Sequence, residues 1–216
     1  MVVVYVHGLW LQGREAILLR RRLGAALGAE TRSFSYHSVS ATVTANAVAL
    51  RRYLEAIDAA IVHLVAHSLG GLVTLKLFEL AGSGAFGGRD LAPGRIVLLG
   101  SPVRGSRSAR RLSRLSVGRA LLGAAGEELL GAHERRWNGA RDLGVIAGDL
   151  PLGLGRLLGP MEAPNDGTVW VSETDLPGAT ARLRLRVSHS GMPYARRVAA
   201  QTAVFLRDGR FAAEPL

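Results

Sequence analysis

A serine in this sequence stands in a setting typical of a nucleophile. The stretch VAHSLGG (65–71) places Ser68 after an apolar run and before a helical pattern, with Ala66 and Gly70 two residues to either side. The related pattern G-x-S-x-G marks a sharp strand-to-helix turn that exposes the serine for attack. A serine that only caps a helix does not require small residues on both sides. We therefore predict that Ser68 is a nucleophile.

A serine hydroxyl needs a base to take its proton and a third group to orient that base. Of the six histidines, His189 directly follows the stretch RLRLRV, which is typical of a strand. A loop at the carboxyl end of a neighbouring strand can carry the imidazole to Ser68. His67 is adjacent to the serine and is expected to contact substrate instead. We predict that His189 is the base.

The orienting acid has two candidates. Asp166 lies in APNDGTVWV, where Asn165 and Gly167 favour a turn. Asp149 directly follows the apolar run LGVIAG and remains a competitor. We favour Asp166 on its turn, and the chain order is then serine, aspartate, histidine.

Acyl transfer also needs two backbone N–H groups that stabilise an oxyanion. One donor is expected at Leu69, directly after the nucleophile at a helix start. The other is expected at Leu9 in VHGLW, where Gly8 lets the backbone approach the substrate. Trp10, next in the chain, is a candidate wall of the substrate pocket.

The elements that must position these residues follow from the hydrophobic pattern. Strands are predicted at 2–6, 31–36, 61–66, 95–100, 143–148 and 182–187, and helices at 14–28, 42–60, 69–82 and 194–209. In the second helix, Arg51 and Arg52 are expected to point outward. This alternation predicts an α/β fold with about six mostly parallel strands and helices on both faces. Ligands bind at the carboxyl ends of strands in such sheets.

Composition narrows the function classes. The 216 residues are expected to form a single domain, 1–216. The absence of cysteine excludes disulfides and thiolate chemistry. The net charge of +10 comes almost wholly from arginine, since Lys76 is the only lysine. Arginines without aromatic stacking platforms do not specify a nucleic-acid reader, whereas weak contact with an anionic membrane surface is compatible with them. A monomer or small homo-oligomer is expected.

The first residues of the chain and its apolar runs bear on where the protein is expected in the cell. MVVVYVHG has neither a basic n-region nor a cleavage site of small residues. No apolar run approaches the length that spans a bilayer. A cytoplasmic protein is expected.

With VHGLW, AHSLGG, NDGTV and SHSGM in this order, the chain resembles an α/β-hydrolase of the compact lipase and esterase kind. It is also similar to bacterial relatives of the lipases that deacylate glycosylphosphatidylinositol. The resemblance runs from residue 2 to about 207. It implies a Ser68–Asp166–His189 triad, an oxyanion hole at Leu9 and Leu69, and no metal or organic cofactor. Alanine replaces the first glycine of the motif, and no segment is long enough for a large cap; 104–133 or 148–163 could form only a small lid.

These expectations define the candidate functions. The first is hydrolysis of a small-molecule or lipid carboxylic ester through an acyl-enzyme on Ser68. A thioesterase, lactonase or amidase would use the same residues, because fold and triad are shared across these chemistries. A basic module that binds a membrane or nucleic acid through its arginines, with a vestigial site, is an alternative from another class. A lipid-directed enzyme held at an anionic surface would combine both features.

Overall fold

The computed structural model describes residues 1–86 and 90–213. Its centre is a six-stranded sheet in the order β2-β1-β3-β4-β5-β6, in which every pairing is parallel. The strands are β1 (Val2–Val6), β2 (Glu30–Phe34), β3 (Val62–His67), β4 (Ile96–Leu99), β5 (Leu143–Gly148) and β6 (Ala181–Leu185).

Helices cover both faces of this sheet. The α-helices are α1 (Ile17–Leu27), α2 (Val43–Glu55), α3 (Leu69–Gly82), α4 (Arg107–Leu112), α5 (Gly118–Leu122), α6 (Gly126–Leu130) and α7 (Arg196–Asp208). Short 3₁₀ helices lie at Arg14–Ala16, Gly123–Ala125, Leu154–Leu158, Val171–Thr174 and Met192–Tyr194. Helices α1 and α7 contact each other on one face, and α2 and α3 on the other.

The position of strand β1 explains why polar and apolar residues do not alternate in its sequence. Val2, Val4 and Val6 pack into the core beneath α2 and α3, while Val3 and Tyr5 pack into the core beneath α1 and α7. All five side chains are buried. A parallel strand covered on both faces has no solvent side, so its residues read as a continuous apolar run.

The helices and strands are of the types that the sequence predicts. Several predicted element bounds differ from the structure, as does the predicted orientation of one side chain. Helix α2 ends at Glu55 instead of residue 60, because the chain turns and buries Ile57 in the core. Arg51 was expected to point outward and is buried; this prediction is wrong. Its Nε donates to Glu55 Oε1 at 2.6 Å, and its guanidinium lies 5.3 Å from the centre of the Phe86 ring. Arg52 is exposed as predicted.

The connections that follow the strands at the carboxyl edge of the sheet carry the predicted site residues. Residues 100–142 follow β4 and contain the short helices α4, α5 and α6, and residues 149–180 follow β5. The short helices α4, α5 and α6 therefore border this edge. Across residues 1–86 and 90–213, no helix combines the length and apolar character needed to cross a membrane.

Candidate active site

Ser68 lies on a strained turn between β3 and α3. Its φ of 54° and ψ of −121° are rare for a residue with a side chain, and such strain persists only where the surroundings enforce it. A Cβ on Gly70 would lie 2.6 Å from the carbonyl oxygen of His7, so the position two residues after the serine accepts only glycine. Ala66, two residues before, is fully buried. The small residues that suggested the turn are therefore required by its packing.

His189 connects Ser68 to Asp166. Its Nε2 lies 3.0 Å from Ser68 Oγ, and its Nδ1 lies 2.7 Å from Asp166 Oδ2. A carboxylate accepts the proton of Nδ1, which leaves Nε2 free to accept the serine hydroxyl. The backbone N–H of His189 also donates to the carbonyl oxygen of Asp166 at 2.8 Å. This arrangement can make a serine nucleophilic.

The Asp166 carboxylate is itself held by the turn that follows it. Asp166 is 1% exposed, and its Oδ1 accepts the backbone N–H groups of Thr168 at 3.0 Å and Val169 at 2.7 Å. Asn165 Oδ1 accepts the N–H of Gly167 at 2.9 Å, which closes the turn that the sequence favoured. These bonds stabilise the charged carboxylate and fix the oxygen that faces His189.

Asp149, the competing acid, has a different partner. Its Oδ2 lies 3.2 Å from Arg184 Nε, on the neighbouring strand β6. The structure gives it no bond to His189, so Asp166 is the acid brought to the histidine.

Buried polar bonds tie the Asp166 loop to helix α4. Glu173, which is buried, accepts the N–H of Trp170 at 3.0 Å and the N–H of Arg107 at 2.7 Å. Burial raises the pKa of this carboxyl group. Ser108 Oγ donates to the carbonyl oxygen of Thr168 at 2.5 Å. The sequence analysis did not identify these supports, because they join segments about 60 residues apart.

The two predicted oxyanion donors face no competing acceptor. Leu69 is the first residue of α3, where N–H groups lack partners within the helix. Among the described residues, the N–H groups of Leu9 and Leu69 donate to no protein atom. A Cβ on Gly8 would lie 3.1 Å from Ser68 Cβ, so the loop that carries Leu9 passes directly beside the serine.

His7 holds that loop, a role that the sequence analysis missed. Its Nδ1 donates to the carbonyl oxygen of Gly8 at 2.8 Å, and its Nε2 accepts the N–H of Tyr36 at 3.2 Å. The Tyr36 hydroxyl donates to the His7 carbonyl at 2.7 Å, and the two rings stack 4.1 Å apart. Burial lowers the pKa of His7 and keeps it neutral. The available signal was the parallel pairing of strands 2–6 and 31–36, which places the residues after both strands side by side.

His67, expected to contact substrate, lies behind His189. Its side chain is buried, its Nε2 donates to the carbonyl oxygen of His189 at 3.1 Å, and the two rings are 4.8 Å apart. Burial, with the nearby His189, lowers the pKa of His67 to about 3. His67 therefore supports the main chain of His189, and because it is also among the residues that line the cavity, its contact with substrate stays a prediction.

A cavity of about 500 Å³ opens beside Ser68. Trp10 forms part of its wall, as predicted, and its indole Nε1 donates to the carbonyl oxygen of Leu121 at 2.8 Å. Glu15 is the single charged side chain among the described lining residues. Most of the wall is apolar: Leu9, Leu11, Leu69, Pro102, Ala109, Leu112, Leu122, Leu129, Leu157, Leu158, Val169 and Pro193. The cavity can therefore enclose a hydrocarbon group next to the serine.

No metal centre is evident in the described residues, where histidines and carboxylates nowhere gather in threes to form a ligand set. The structure brings Ser68, His189 and Asp166 together at one edge of the sheet.

Comparison with known proteins identifies the fold. No protein-family model and no curated protein sequence matches the chain. Among solved structures, the mature form of the Bacillus licheniformis lipase BlEst2 is similar with a TM-score of 0.70 at 20% identity, over 95% of this chain and 90% of that one. A metagenomic carboxyl esterase has a TM-score of 0.64 at 15% identity, over 89% of this chain and 65% of that one. An α/β-hydrolase fold protein from Chitinophaga pinensis has a TM-score of 0.62 at 12% identity, over 96% and 90%. The chain therefore has the α/β-hydrolase fold.

Proposed function

We propose that this chain is a serine hydrolase that cleaves carboxylic esters through an acyl-enzyme on Ser68. The observation that carries the proposal is the continuous hydrogen-bonded series from Ser68 Oγ through His189 to Asp166, at 3.0 and 2.7 Å, on a strained turn beside an apolar cavity. The similarity to proteins named lipase and carboxyl esterase supports the same reaction class.

In the first half of the reaction, Ser68 Oγ attacks the ester carbonyl carbon while its proton passes to His189 Nε2. The carbonyl electron pair moves to oxygen, where the N–H groups of Leu9 and Leu69 stabilise the negative charge. Asp166 keeps the imidazole oriented and stabilises its positive charge. The carbonyl then re-forms, the bond to the alcohol breaks, and the alcohol leaves with the proton from His189.

In the second half, water attacks the acyl group on Ser68 and gives its proton to His189. The second tetrahedral oxyanion occupies the same pair of N–H donors. Its collapse breaks the bond to Ser68 Oγ, which recovers its proton from His189, and the carboxylic acid departs. The two half-reactions balance in atoms and electrons without an oxidant, a reductant or a cofactor.

The cavity favours substrates with an apolar acyl group. Its wall is mainly aliphatic. Burying hydrocarbon against it is favourable at about 25 cal/mol per Å². Trp10 and the leucines of α4 and α5 would contact the chain.

A thioester, lactone or amide could react by the same steps, and these remain alternatives to the proposed ester substrate. The alternative of a basic binding module with a vestigial site has less support, because Ser68, His189 and Asp166 form an unbroken hydrogen-bonded series.

Hydrolysis of p-nitrophenyl esters from acetyl to palmitoyl tests the proposal. We expect the wild type to turn over these esters, with the optimum above acetyl, and Ser68→Ala to lose on the order of 10⁴-fold in kcat. Equal activity of the two proteins would contradict the proposal, as would hydrolysis of amides or thioesters with no hydrolysis of any oxygen ester.

A further inference from the structure

Large apolar side chains are exposed around the mouth of the cavity. Leu157 is 81% exposed, and five others are between 45% and 61% exposed: Trp10, Leu115, Val117, Leu121 and Leu152. We call these six residues the apolar rim. Isolated exposed apolar side chains are ordinary, whereas a group of them at one place marks an interaction surface.

Contacts show that the rim belongs to one region. Trp10 donates to the carbonyl of Leu121, and both Trp10 and Leu157 also line the cavity. Leu115 and Val117 lie on the turn between α4 and α5, where the N–H of Leu115 bonds to the carbonyl of the cavity residue Leu112.

The 3₁₀ helix that carries Leu157 contacts α4, and Arg111 Nη1 donates across this contact to the carbonyl of Pro160 at 2.7 Å. Leu152 directly precedes Gly153, which lies against the backbone of Gly167. The segments that present the rim are therefore packed on one another around the opening.

The same segments are strongly basic. Residues 104–122 and 150–161 contain no aspartate or glutamate, and their arginines are Arg104, Arg107, Arg110, Arg111, Arg114, Arg119 and Arg156. Arg104 pairs with Asp175, and Arg107 lies 3.9 Å from Glu173. The other five form no ion pair within the described residues, and Arg114, Arg119 and Arg156 are exposed. The exposed leucines thus lie in segments whose charged side chains are all arginines.

One kind of partner suits this combination of exposed aliphatic side chains, a tryptophan and arginines without ion pairs. An anionic bilayer offers negative headgroups to the arginines and hydrocarbon to the leucines, and tryptophan favours the boundary between them. A nucleic acid would use the arginines but gain nothing from exposed leucines. We propose that the apolar rim docks on the surface of an anionic lipid membrane, with the mouth of the cavity facing the lipid.

If the proposed ester hydrolysis holds, this orientation lets an acyl chain pass from the bilayer into the cavity without crossing water. The docking itself does not depend on catalysis, so it can be measured in Ser68→Ala, where no lipid is consumed.

The test is co-sedimentation of Ser68→Ala with vesicles of phosphatidylcholine alone and with 30% phosphatidylglycerol. We expect binding to the anionic vesicles and much weaker binding to the neutral ones. Each arginine near an anionic surface strengthens binding roughly fivefold, so Arg114→Gln with Arg119→Gln should weaken it roughly thirtyfold. Leu115→Gln with Val117→Gln should also weaken it, because the apolar insertion is lost.

Matched controls lie outside the rim. Arg52→Gln removes an exposed arginine of α2, and Leu18→Gln removes a leucine of α1 that is similarly exposed; both should bind as Ser68→Ala does. Equal binding to neutral and anionic vesicles would overturn the proposal, as would equal loss in the control and rim variants. It would also be overturned if a DNA duplex bound more tightly than the vesicles and independently of Leu115 and Val117.

In the wild-type background, Arg114→Gln with Arg119→Gln should leave hydrolysis of a soluble short-chain ester unchanged. This readout separates failure of docking from failure of the catalytic proposal.

Discussion

His67 donates a hydrogen bond from Nε2 to the backbone carbonyl of His189 at 3.1 Å. The residue before the serine therefore supports the main chain of the residue that lies 3.0 Å from the serine hydroxyl. Because the His67 ring is buried and its pKa is lowered to about 3, it makes this bond as a neutral donor near pH 7.

We predict that His67→Leu lowers kcat by about tenfold to a hundredfold with KM nearly unchanged, since small displacements of a catalytic group carry costs of this size. His67→Gln, which can still donate, should retain more activity. Steady-state kinetics with thermal unfolding as a folding control measures this. A changed KM at constant kcat would instead indicate direct substrate contact by His67.

Replacing Asp166 and replacing Asp149 should have very different effects on kcat. Asp166→Asn should lower kcat by about 10⁴-fold, because the amide favours the wrong tautomer of His189. Asp149→Asn removes only the charge that faces Arg184 and should change kcat less than threefold, since the carboxylate that bonds to His189 Nδ1 is that of Asp166. Kinetics of the two variants on one ester gives the answer, and a larger loss in Asp149→Asn would reverse the assignment.

Two glycines of α3 provide a matched test of the strained turn. Gly70→Ala places a Cβ 2.6 Å from the His7 carbonyl oxygen, so it should lower the free energy of unfolding by about 2 kcal/mol and reduce activity. A Cβ on Gly82 meets no atom of the described residues within 4 Å, so Gly82→Ala should be neutral or slightly stabilising. Urea unfolding compares the two, and equal stability would show that the turn tolerates a side chain at residue 70.

Buried neutral histidines should make stability depend on pH. Burial lowers the pKa of His67 to about 3 and of His63 to about 4, and it also lowers that of His7. The unfolded chain binds these protons near pH 6.5 and the folded chain only at lower pH. The free energy of unfolding should therefore fall as the pH drops below 6.5, by up to roughly 1.4 kcal/mol per pH unit for each of His63 and His67 until the folded pKa is reached, and His7 should act in the same direction.

Urea unfolding at pH 7, 6 and 5 measures this dependence. His63 Nδ1 accepts the N–H of Arg95 at 2.8 Å, so His63→Gln keeps an acceptor while removing one titrating group. This variant should show a shallower dependence on pH. A wild type whose stability is constant from pH 7 to 5 would refute the prediction.

The fold was accessible from sequence because its strands are short apolar runs separated by helical patterns, and parallel pairing follows from that alternation. The Ser68 turn was accessible because steric crowding at Gly70 restricts the local sequence. Contacts between segments that are distant in the sequence were not accessible in this way. The choice between Asp149 and Asp166 depends on the path of the loop after β5 and on Arg184 of β6. The burial of Arg51 likewise depends on Phe86, which no helical pattern indicates.

The most direct test of the central claim is covalent labelling of Ser68 with a fluorophosphonate, followed by mass spectrometry of the intact protein and its peptides. Fluorophosphonates react with serines that a neighbouring base has activated. We predict one label per chain, on the peptide that contains Ser68, with labelling abolished in Ser68→Ala and strongly slowed in His189→Ala. An unlabelled wild type, or a label on another serine, would contradict the assignment of Ser68 as the nucleophile.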